Sequence, residues 1–189
     1  MLKPRERGLS LAEWLVLCLI SEGPTYGFVI AGLLAHDSSL GQIWHVHKAV
    51  VYRAAQRLER FGLITVSDKQ PSKPGPALAQ LQATPEGRQA AETWLRQPAV
   101  HPRDIRSELL VKLALLDRAG TDPLDLLRAQ RGHLAPIAEA LASRMRAATG
   151  YDHVLALWRY ESASAALRFL DALLATVPVQ RAGAVGGPR

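Results

Sequence analysis

The chain has 189 residues, 48% of them hydrophobic and 21% charged, a length for one domain or two small ones and the composition of a folded protein with a sizeable core. Large multidomain machinery and wholesale disorder are excluded. Lys and Arg outnumber Asp and Glu 23 to 17, a formal charge of +6, which favours anionic partners, nucleic acid first and anionic membrane second.

Lys3, Arg5 and Arg7 before the apolar stretch from Leu9 to Ile20 imitate a secretory signal. Glu13 interrupts that stretch, no small-x-small cleavage site follows Ile20, and the run falls short of the ~20 residues that span a bilayer. A cytoplasmic protein without membrane attachment is therefore expected. Residues 9–22 predict a first helix, with Ser10 near its start, Leu11, Trp14, Leu15 and Cys18 on one face, and Gly23-Pro24 after it. Cys18 is the only cysteine, so an intramolecular disulfide and a cysteine-rich zinc site are excluded; it reads as a small core residue. Thr25 is placed to cap a second helix through Leu34, with Gly41 in the loop beyond. A third helix, about 47–61, carries Val51, Ala54 or Ala55, Leu58 and Phe61 at steps of three and four, and Gly62 stands at its stop position.

Leu63–Ser67 and Ala77–Gln82 alternate as two strands of a hairpin, and the three prolines and glycine of residues 69–76 make its tip stiff and exposed. Thr84-Pro85-Glu86 joins a cap, a first-turn proline and an early acid, opening a helix to about Arg96. Pro98 and Pro102 mark a junction, after which the pattern is helical. One helix is expected over 103–118. A longer one, about 123–149, has Leu127, Leu134, Leu141 and Ala148 seven apart, a coiled-coil spacing, with Pro136 expected to kink or split it. A last helix, about 151–176, places Leu155, Trp158, Ala165, Phe169 and Leu173 on one stripe. The expected organisation is a mainly α chain: a winged helix-turn-helix unit over 1–97, a helical unit over 98–179, and a disordered tail over 180–189.

The positive charge is concentrated locally. Residues 1–97 and 98–189 each carry +3, but within 45–73 six basic side chains face only Glu59 and Asp68. On the third helix Lys48, Tyr52, Gln56 and Arg60 form one ridge and Ala49, Arg53 and Arg57 the next, opposite Val51 and Leu58. Such a face suits double-stranded DNA: Arg grips guanine edges or phosphate, Gln reads adenine, Lys neutralises phosphate, and small apolar residues meet thymine methyls. The candidate DNA-binding set is His47, Lys48, Ala49, Tyr52, Arg53, Gln56, Arg57, Arg60 and, in the wing, Lys69 and Lys73. Base reading falls to the first turns, and Arg57 and Arg60 are assigned to backbone positioning. A solvated helix face without a ligand is the plain alternative.

The order of parts resembles the PadR-type winged-helix transcriptional regulators. The resemblance rests on the first-helix run Leu11–Ile20, on Thr25-Tyr26-Gly27-Phe28-Val29-Ile30, on Ile43-Trp44, and above all on residues 51–64, VYRAAQRLERFGLI, similar to the family's Y-R-x-L-x-R-L-E-x-x-G-L-I. Ala83-Thr84-Pro85-Glu86-Gly87 is similar to its L-T-x-x-G. Ala55 replaces a customary leucine, and Pro74–Ala79 replaces a basic, aromatic wing, leaving open whether the wing touches DNA.

The resemblance implies a homodimer held by the C-terminal helices, with Leu127, Leu134, Leu141, Trp158, Phe169 and Leu173 as dimerisation candidates. It also implies a palindromic operator, repression, and relief by a small hydrophobic or aromatic effector. Trp14, Trp94 and Trp158 are candidates to line the effector pocket; core and interface packing is the other reading of each. The competing class is a protein-interaction module that keeps the scaffold without specific DNA binding. His45 and His47, with His36 and Asp37 upstream, invite a metal reading, but histidines at a helix start more often cap it or touch phosphate, and no metal or cofactor is expected. No glycine-rich phosphate loop, HExxH or GxSxG motif occurs, and no nucleophile, base and orienter are grouped, so an enzyme is not expected.

Overall fold

The computed structural model describes residues 8–67 and 79–184, with side chains as far as Thr176. These fall into two compact units that divide the chain at Leu95/Arg96, Leu109/Leu110 and Ala119/Gly120. The division differs from the single boundary expected at residue 97, because the helix over 110–118 joins the first unit.

In the first unit, α1 (Leu11–Ser21) is the central helix, with every side chain from Glu13 to Ile20 buried. Ser10 and Glu13 start it as a reciprocal capping box: the Ser10 amide donates to Glu13 Oε2 at 2.7 Å, and the Ser10 hydroxyl accepts from the Glu13 amide. A two-residue strand, β1 (Thr25–Tyr26), then leads into α2 (Gly27–Leu33). Thr25 is therefore not the expected cap; the N-cap is Tyr26, and Thr25 pairs with Leu81 in the sheet. A short helix that periodicity did not signal, α3 (Ser39–Ile43), follows, with the Ser38 hydroxyl accepting from the Gly41 amide at 2.9 Å. Next is α4 (Lys48–Arg60), packed on α1 and α2 through Val51, Ala54, Ala55 and Leu58.

The stop of α4 is a glycine-terminated motif. Gly62 has φ +68°, its amide donates to Glu59 O at 2.8 Å, and the Leu63 amide donates to Leu58 O at 2.9 Å. This turn feeds β2 (Ile64–Val66), which pairs antiparallel with β3 (Gln80–Ala83) in the register Ile64↔Ala83, Thr65↔Gln82 and Val66↔Leu81. With β1 the sheet order is β1-β3-β2. The hairpin tip, with Lys69 and Lys73, lies outside the described residues. The α5 helix (Pro85–Arg96) is pinned to the α4 stop: the Thr84 hydroxyl accepts from the Gly87 amide at 3.0 Å and is 2.9 Å from Gly62 O, to which it donates. A Cβ at Gly87 would lie 1.9 Å from Leu63 O. The Thr-x-x-Gly spacing is thus a cap plus a helix start that must lie directly on the preceding turn.

The helix expected over 103–118 contains three hydrogen-bond registers: a 3-10 turn (Pro102–Asp104), a π turn (Ile105–Leu109) and α6 (Leu110–Arg118). Val111 and Leu115 of α6 join the first unit's core. In the second unit, α7 (Leu124–Ala147) packs along α8 (Gly150–Ala184). Pro136 does not split α7 as expected: the helix is continuous from Leu124 to Ala147. The end of α8 is later than expected, so residues 180–184 are helical where a disordered tail was expected, and 185–189 lie outside the described residues.

The face of α8 that is buried in the chain is a different one from the apolar stripe noted in the sequence. Ala156, Ala163 and Leu170 are buried, seven apart, whereas Leu155, Trp158, Ala165 and Phe169 are exposed. Small residues on the inner face let helices approach closely; the large side chains point away from that seam. The junction is clamped by Gln130, whose buried carboxamide accepts from the Ala99 amide at 2.7 Å and donates to Ala99 O at 3.1 Å.

Candidate nucleic-acid interface

The helices α2 and α4, with the short α3 between them and the β2–β3 hairpin behind, make a winged helix-turn-helix, in which α4 takes the place of the helix that enters a groove. Its buried stripe fixes what it presents. With Val51, Ala54, Ala55 and Leu58 turned inward, Lys48, Ala49, Tyr52, Arg53, Gln56 and Arg60 are all exposed, as is His47 at the N-cap. Tyr52, 42% exposed, lies with its ring against Gly27 at the start of α2. Among the described residues Lys48, Arg53 and Arg60 make no ion pair, so their charge is directed to solvent.

Arg57 is different. Its Nη1 donates to both oxygens of the buried Glu13, at 2.9 and 3.2 Å, and its guanidinium stands 5.2 Å from the centre of the Phe61 ring. The ridge position that suggested a phosphate contact ties α4 to the capping box of α1. Sequence reasoning treated Glu13 only as an interruption of an apolar run. The signal for the pair was available: a lone acid in a buried segment requires a cationic or hydrogen-bonding partner.

Trp14 and Trp94 stack on each other in the first unit's core, with centroids 5.2 Å apart and planes within 4°, and the fully buried Lys112 sets its Nζ 4.5 Å from the Trp94 ring centre. That is a cation–π contact in a filled interior. Trp158 belongs to the other unit and is 71% exposed. Cys18 lies in the same core as Trp14, and burial pushes its thiol far above the ordinary range, with Lys112 lowering and Glu22 raising it.

Of the dimerisation candidates, Leu127 and Leu134 are fully buried in the chain itself and cannot face a second copy. Leu141 and Leu173 are half-buried, and Trp158 and Phe169 are exposed beside Tyr151, Val154, Leu155 and Leu157. Among the described residues no helix is long and apolar enough to cross a membrane.

Residues 16–93 match the family model of the transcriptional regulator PadR-like family. The matched segment runs from within α1 to near the end of α5, so the winged-helix unit is similar to the PadR-like family. Similar solved structures include PadR of Bacillus subtilis in complex with operator DNA, 20% identical, with 89% of this chain and 99% of that chain covered and a TM-score of 0.45. The same protein in complex with p-coumaric acid is 17% identical over 89% and 96% of the two chains, with a TM-score of 0.40. The smu.1604c protein of Streptococcus mutans UA159 is 15% identical over 86% and 98%, with a TM-score of 0.41. No curated protein matches the sequence.

Proposed function

We propose that this chain is a sequence-specific DNA-binding repressor that acts as a homodimer on a palindromic operator and is released by a small hydrophobic or aromatic effector. The observation that carries DNA binding is the exposed face of α4: a PadR-like domain turns Lys48, Ala49, Tyr52, Arg53, Gln56 and Arg60 outward together. Lys48 to Arg53 lie in the first turns and read base edges; Arg60, at the far end, holds backbone phosphate. A single winged helix makes few base contacts, so two-fold symmetry doubles the interface and sets half-sites about 10 bp apart or a multiple of that. The exposed apolar side chains of α8 are the surface that a second copy covers. The effector rests on the resemblance to the PadR-like family alone, and its proposed class is aromatic or hydrophobic.

Selection of genomic fragments with purified protein, then titration of the best fragment against salt beside a scrambled duplex, tests the reading. A palindromic consensus bound about a thousandfold tighter than the scrambled duplex, with steep salt dependence, is expected. Equal, weak, salt-sensitive binding to both duplexes would refute specific recognition and leave the scaffold as a protein-interaction module.

A further inference from the structure

The loop between α3 and α4 carries two histidines that DNA reading by α4 does not use as a pair. His45 and His47 are exposed, their rings meet edge to face with centroids 4.5 Å apart, and His45 Nε2 lies 3.5 Å from His47 Nδ1. A histidine at a helix start ordinarily caps it. His47 occupies the N-cap position of α4 without a side-chain cap hydrogen bond, so capping does not account for where its ring stands.

We propose that His45 and His47 form a chelating site for a divalent transition-metal ion of the zinc, nickel or copper class. The spacing is the first argument. Two imidazole nitrogens bound at 2.0–2.1 Å in tetrahedral geometry stand about 3.4 Å apart, and the two nitrogens, in hydrogen-bond contact with each other, are 3.5 Å apart, so both reach one ion once the rings turn their lone pairs from each other towards it. Exposure is the second, because neither ring has to be extracted from a packed core to bind. Donor chemistry is the third: neutral imidazoles select borderline metals over magnesium or calcium, which require oxygen ligands.

A third imidazole, His36, has its ring centroid 6.0 Å from that of His45 and supplies the nearest further nitrogen. His36 and His45 both line an open groove of about 480 Å³ that also exposes Trp44, leaving room for water on the remaining coordination positions. Among the described residues no three such side chains are already arranged around one point, and the site lies at the positive end of α4, which works against a cation. Both facts make the site weaker than a four-ligand structural zinc site.

Calorimetric titration of untagged full-length protein with nickel chloride, and separately zinc chloride, tests the site. Saturable binding of one ion per chain below millimolar metal is expected. His45→Ala and His47→Ala should each weaken binding about tenfold or more and His36→Ala severalfold, while His153→Ala, on α8, should leave it unchanged. Absence of saturable binding at millimolar metal, or equal binding by wild type and both His45→Ala and His47→Ala, would overturn the proposal. Variants that bind metal as wild type does but lose affinity for duplex DNA would reassign the pair to phosphate contact, and would overturn it equally. The metal titration contains no DNA, so its result does not depend on the proposed function.

Discussion

Arg57→Ala separates two roles that look alike on a helical wheel. In the folded chain the guanidinium makes a two-oxygen contact with Glu13, a side chain only 8% exposed, and covers the Phe61 ring. Removing one partner of a fully buried pair costs ~3–5 kcal/mol because the other charge is left desolvated. Here Arg57 keeps 40% of its side chain in water, and Glu13 retains its bonds from Ser10. The cost should therefore fall towards that of one charged hydrogen bond, about 2–3 kcal/mol. For a chain of this size that lowers the melting temperature by roughly 5–10 °C.

Urea unfolding of the wild type, Arg57→Ala, Glu13→Gln and the double variant closes a cycle whose coupling should be about 1.5–3 kcal/mol. Salt titration on the same duplex supplies the contrast. Arg60→Ala should reduce the salt slope by about 1, as loss of a phosphate contact does, and Arg57→Ala should leave the slope as it is. A stability loss below about 0.5 kcal/mol, together with a reduced slope, would return Arg57 to the DNA and refute the inward assignment.

Cys18 should make stability fall at alkaline pH. Burial raises its folded pKa far above the ordinary value of 9.0, so above that value the unfolded chain releases a proton that the folded chain retains. The stability lost is about 1.4 kcal/mol per pH unit, and Cys18→Ala should remove that slope in denaturant titrations between pH 8 and 11. Gln130→Leu should destabilise the second unit by about 2–4 kcal/mol, because the backbone N–H and C=O of Ala99 both lose their partner at a buried position. Differential scanning calorimetry would detect it, and an unchanged melting temperature would contradict the clamp. Trp158→Glu alters a side chain that is 71% exposed in the single chain, so the fold should persist while light scattering reports a monomer; an unchanged dimer would put the interface elsewhere.

Local chemistry made much of the first unit legible. The apolar steps of α4, its glycine stop and the Thr-Pro-Glu start of α5 are contained in segments of a few residues, and each appears at the expected place. Pieces shorter than a helical turn or two were not legible. The strand β1 has two residues and exists only because β3 offers a register, and α3 has five residues that no periodicity can mark. The Glu13 partner of Arg57 was not legible for a related reason: a helical wheel gives angle and not neighbour, and the neighbour lies 44 positions away.

The C-terminal helices show the same limit in another form, because the large apolar stripe of α8 was legible and the small-residue face that packs on α7 was not. The large apolar residues of α8 do form a stripe, and the natural inference is that the largest side chains face the nearest helix. Yet two helices of one hairpin approach most closely where their residues are small, and Ala156 and Ala163 satisfy α7 without Trp158 or Phe169. A stripe of leucine, tryptophan and phenylalanine that intramolecular packing does not require costs solubility and folding fidelity when left in water. Its retention is understandable if a second copy covers it, which is how the proposed homodimer accounts for α8 carrying two apolar faces where a monomer needs one.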